Sequence, residues 1–148
     1  MKENTRITNK LLEQILSGNP DEVWSSSCTI IKWSQDYECI KEFVPYLDEI
    51  KKKTENIDMG GLLAPRDRFV KKVIKILEHY KNGQGCSCCL LDENDDPTSF
   101  ETIDIMSNTY YKDSKMTEYY EVMCKKCGQK YKVYEREYHF LWWEWRLL

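Results

Sequence analysis

Cys124-Lys125-Lys126-Cys127-Gly128 sets the reading of the C-terminal half, and Cys86-Ser87-Cys88-Cys89 answers it from upstream. Two Cys-x-x-Cys corners, Cys86/Cys89 and Cys124/Cys127, supply the four thiolates that a tetrahedral zinc takes at about 2.3 Å. Gly128 gives the backbone the freedom that a tight corner needs. A four-thiolate shell is closed, so a zinc there is a structural staple. The reading leaves two alternatives open: Cys88 can replace Cys86 or Cys89, and His139 can compete for a position. Four or five clustered cysteines out of seven favour metal over disulfide in a reducing compartment.

Working outward, Gln129-Lys130-Tyr131-Lys132-Val133-Tyr134 follows the second corner with strand-like alternation. Knuckle and strand together resemble the second corner of a zinc ribbon. The first corner departs from that pattern, because 34 residues separate Cys89 from Cys124 where about 15–20 is commoner; an insertion accounts for the excess. Glu101 to Met106 and Thr117 to Met123 read as further strands, with Cys89-Leu90-Leu91 starting a short one. Asp92-Glu93-Asn94-Asp95-Asp96-Pro97 reads as an acidic excursion in solvent. In the tail, His139, Leu141, Trp143, Trp145 and Leu147 share one face of an extended chain, and Tyr138, Phe140, Trp142, Glu144 and Arg146 share the other.

The N-terminal half has helical period. Ile7, Leu11, Leu12, Ile15 and Leu16 mark a helix over about Thr8–Ser17, and Asn19-Pro20-Asp21-Glu22 caps and opens a second, with Trp24 on its inward stripe. Ser34 reads as the cap of a third, which Pro45 kinks or splits, and a fourth runs from about Pro65 to Lys81 after a loop at Asp58-Met59-Gly60-Gly61. The opening at Asn19 to Trp24 and the run from Tyr37 to Leu47 resemble paired helices of the HEAT type, a likeness that implies a protein-binding surface without catalysis. An isolated helical bundle is the other reading. The expected fold is therefore α+β: residues 1–82 form a helical domain of about four helices, packed on an antiparallel zinc-ribbon-like sheet of residues 83–148.

Charge divides along the same line. Residues 1–82 carry 14 Lys+Arg against 13 Asp+Glu, whereas residues 83–148 carry 8 against 12. A zinc tetrathiolate adds two negative charges to the second half, which opposes general attraction to phosphate backbones. Lys125, Lys126, Lys130 and Lys132 nevertheless make a local basic patch with Tyr131 and Tyr134 between them, the pattern of a nucleic-acid-binding ribbon.

Catalytic signatures are missing from the sequence: neither His79 nor His139 begins a deaminase His-x-Glu triplet, and neither a metalloprotease His-Glu-x-x-His nor a glycine-rich phosphate loop occurs. His79 reads as a helix-end or surface group. The opening residues lack an apolar core of signal-peptide length, and no run approaches the roughly 18 apolar residues of a membrane span. The expectation is a cytoplasmic, non-enzymatic protein that binds another protein, with a bacterial-type immunity or inhibitor protein as one concrete form. Nucleic-acid binding through the four lysines is the alternative.

Overall fold

The computed structural model describes residues 2–60, 66–138 and 140–148, and divides into two units, Met1–Ser87 and Cys88–Leu148. The fold is α+β, with helices in the first unit and one antiparallel sheet in the second.

Helix α1 spans Lys2–Ile15 and α2 spans Pro20–Lys32. Between them Gly18 takes φ 77°, a left-handed turn that costs glycine little. The side chain of Asn19 accepts from the backbone N–H groups of Asp21 and Glu22, so the cap read from sequence is in place. The third expected helix is broken. Its cap is Asp36, where the sequence suggests Ser34, and it comprises α3 (Tyr37–Ile40), a 3₁₀ turn (Val44–Tyr46) and α4 (Leu47–Thr54). Pro45 lies in that turn; it has no N–H to give, and its ring crowds the carbonyl four residues back. Among the described residues this raises the α-helix count from four to five.

Helix α5 spans Asp67–Lys81. Pro65, the expected start, and Gly61 of the expected loop lie outside the described residues. Helix α2 packs on α1 and α5, and α5 packs on α4. Their shared core holds Ile15, Val23, Ile30, Ile40, Phe43, Ile50, Val73, Ile76 and Leu77. Each side chain of this size contributes about 1.5–3 kcal/mol by leaving water. Trp24 does not join them. It is 37% exposed, edge-on to Phe69 at 6.3 Å, with the Arg66 guanidinium 4.3 Å from its ring.

The second unit is a meander in the order β1 (Ile103–Tyr110), β2 (Thr117–Cys124), β3 (Lys130–Tyr138) and β4 (Phe140–Leu147). Residues paired across antiparallel strands share a face. Ile103, Val122, Cys124, Tyr120, Tyr131, Val133 and Trp145 thus line one side, and most of them are buried. Tyr131 and Trp145 meet edge-on at 5.6 Å.

Two local expectations for this unit are corrected. Cys89-Leu90-Leu91 does not begin a strand, because Ser87–Leu90 is a 3₁₀ turn. The acidic excursion is not a solvated loop. Asp95 is only 4% exposed and its carboxylate accepts from the Asp92 N–H, while Asp92 and Asp96 accept from Asn94 and Thr98. Carboxylates here satisfy backbone donors of consecutive turns. The same segment accepts from β4: Trp143 N–H donates to the Glu93 carbonyl and Trp145 Nε1–H to the Asp95 carbonyl. Among the described residues, no helix is long and apolar enough to cross a membrane.

Candidate metal centre

The second corner is the hairpin turn between β2 and β3. Cys124 ends β2, and Lys130 begins β3. Cys124 N–H donates to the Gln129 carbonyl, and Gly128 N–H donates back to the Cys124 carbonyl, both at 2.8 Å. Lys125 N–H is fixed on the Thr102 carbonyl at 2.8 Å. Gly128 takes φ 79°, which a side chain would strain. Cys124 is buried, and Cys127 is exposed at the rim.

At the first corner, Ser87 is buried and donates to the Ser34 carbonyl at 2.8 Å; Tyr80 Oη donates to the same carbonyl at 2.6 Å. His79 Nε2 lies 3.0 Å from the Gly85 carbonyl and 3.1 Å from the Cys86 carbonyl. Both neighbours are acceptors, so that nitrogen carries the proton and donates. His79 lies in the last turn of α5, as expected from sequence, but it is buried as a strut for the Gly85-Cys86 backbone and is not a surface group.

The sulfur atoms of Cys86, Cys88, Cys124 and Cys127 all lie within 4.8 Å of one another. Zinc bound at about 2.3 Å to each would set sulfur–sulfur edges of roughly 3.8 Å. The Cys88–Cys127 separation of 3.4 Å and the 4.8 Å limit bracket that value, so four soft donors at this spacing fit such an ion. Gln35 Nε2 donates to Cys86 Sγ at 3.5 Å, and Tyr131 Oη lies 3.2 Å from Cys88 Sγ. Burial first, then the hydrogen bond with Cys88, pushes the Tyr131 phenol well above its ordinary pKa. The hydroxyl therefore keeps its proton and would donate it to a Cys88 thiolate.

Three of the four ligands expected from spacing belong to this group. The place assigned to Cys89 is taken by Cys88, and Cys89 is exposed. In a 3₁₀ turn successive side chains step by about 120°, so adjacent cysteines cannot face the same way. The turn that Ser87 opens directs Cys88 inward, leaving it 4% exposed. His139, the other alternative, lies outside the described residues.

Lys125, Lys126 and Lys130 are exposed around the knuckle, but Lys132 belongs to a different grouping. Its Nζ sits 4.0 Å from the ring centre of Tyr119, on the sheet face opposite Val133. Tyr119, Arg136, Trp142, Glu144 and Arg146 share that face, and sequence reading missed them as a group. The one available signal was the alternation of the tail, which places Trp142, Glu144 and Arg146 together but gives no register to β2 and β3. Comparison with protein-family models, curated proteins and solved structures found no match for this chain.

Proposed function

We propose that the chain is a non-enzymatic, protein-binding module whose C-terminal sheet is held by one structural zinc on Cys86, Cys88, Cys124 and Cys127. The observation that carries this reading is the convergence of four sulfurs within 4.8 Å. Four thiolates complete a tetrahedral shell and leave no coordination position for a substrate, so the ion serves folding. Protein binding is supported by large aromatic and arginine side chains on a solvent-accessible sheet face, the residue types that dominate interface energies. An inhibitor of the immunity type is one concrete form. Metal analysis of protein purified without chelator tests the staple, paired with melting before and after a strong chelator. One zinc per chain and loss of the sheet on chelation are expected; no metal and an unchanged melt would remove it.

A second reading, nucleic-acid binding, is favoured by the exposure of Lys125, Lys126 and Lys130 around one turn. A gel-shift series against salt tests it, with affinity falling steeply and weakening on Lys125→Glu as the supporting result.

A further inference from the structure

The solvent-accessible face of the sheet is built around one carboxylate and three cations. Strand register places Tyr119, Tyr134 and Glu144 in one row, Glu121, Lys132 and Arg146 in the next, and Arg136 beside Trp142. The Tyr119 and Tyr134 rings are 5.4 Å apart. Arg136 and Arg146 lie 4.7 and 4.6 Å from the Tyr134 ring centre, and Lys132 lies 5.3 Å from it. Glu144 Oε2 accepts from Arg136 at 3.0 Å; its Oε1 accepts from Arg146 Nε at 3.2 Å and from a terminal nitrogen at 3.0 Å. Phe140, on the same face, is exposed.

Charge is segregated within the unit. This face holds Lys130, Lys132, Arg136 and Arg146 against Asp104, Glu121 and Glu144, while the rest of residues 83–148 has four cations against nine carboxylates. Glu118, Glu135 and Glu137 alternate to the opposite side of the sheet.

We propose that this face docks a protein segment presenting carboxylates around an apolar side chain. The proposal rests on the protein-binding reading and names its surface and the chemistry of its partner. Glu144 holds both guanidinium groups before a partner arrives, which lowers the ordering cost of binding. Each guanidinium has five N–H donors and spends only part of them on Glu144, so an incoming carboxylate finds planar, fixed donors. Trp142 and Phe140 supply the adjoining apolar contact. A nucleic-acid strand fits less well. Cations already flank the Tyr134 ring on which a base would stack.

The test is selection of a displayed library of random peptides on the full chain, with metal content measured on the same preparation. Recovered peptides are expected to be rich in Asp and Glu beside an apolar residue. Their affinity should fall roughly tenfold or more on Arg136→Gln or Arg146→Gln, and stay unchanged for Lys75→Gln on the exposed side of α5. Arg146, with a side chain 55% exposed, is the variant least able to disturb folding, and its melting curve verifies that. Peptides without acidic bias, or affinity that survives both arginine changes, would overturn the proposal. So would preference for single-stranded oligothymidylate with steep salt dependence. Metal-free protein that still selects acidic peptides removes the staple alone, and metal-loaded protein that selects none removes this surface alone.

Discussion

The two units solve the same folding problem with different materials. In Met1–Ser87 the largest fully buried side chains are aliphatic or Phe43, drawn from α1, α2, α3, α4, α5 and the turn before Val44, with the small Ser26 and Ser27 buried among them. In Cys88–Leu148 the buried set is smaller and leans on phenols and thiols: Tyr120, Tyr131, Cys88 and Cys124 stand beside Val122 and Val133. A helical unit with such a core is stabilised by area removed from water, whereas a small sheet with fewer buried side chains would gain from a metal cross-link at the four cysteines. The comparison teaches that one chain can join a unit set by packing to one that metal binding would complete.

The largest expected effect breaks the second unit only. Cys88→Ser should abolish stoichiometric zinc and unfold the sheet, since a structural zinc contributes on the order of 10 kcal/mol to such sites. Cys89→Ser should leave metal content and melting unchanged. Elemental analysis and separate helical and sheet signals in circular dichroism check both, and equal loss in the two variants would refute the ligand set. Next, Phe43→Ala should cost about 3–5 kcal/mol in the helical unit by opening a cavity, visible as a lower denaturant midpoint with zinc content retained. Smallest is Tyr131→Phe. It removes the donor to Cys88 Sγ and should cost roughly 1.5–3 kcal/mol, seen as faster zinc transfer to a chromogenic chelator; Tyr120→Phe, whose ring lies on the same sheet face, is the matched control.

How much of this was legible in the sequence depends on the range of the deciding interaction. Asn19-Pro20 announces a helix start because its cap bonds reach only two and three residues ahead. Pro45 announces a break, since its ring acts on its own turn. The knuckle at Cys124–Gly128 is equally local. Choosing Cys88 over Cys89 was not legible, because the turn's orientation is anchored by Ser87 on Ser34, 53 positions away. Asp95 reads as solvated until the Trp145 indole on β4, which donates to its carbonyl, is known. The grouping around Glu144 needs the register of three strands, which alternation alone leaves undefined.

The meander has a kinetic consequence. Every strand of the sheet pairs with its immediate neighbour in the chain, so its contacts are short in sequence and each hairpin can close on a scale of about 1–10 μs. Bringing Cys88 to Cys124 and Cys127 closes a much longer loop and is entropically dearer. The expected order is therefore hairpins first, the β2–β3 hairpin preforming the Cys124/Cys127 half-site, and the upstream cysteines last. An ion held by those four sulfurs would act as the latch on a sheet already zipped.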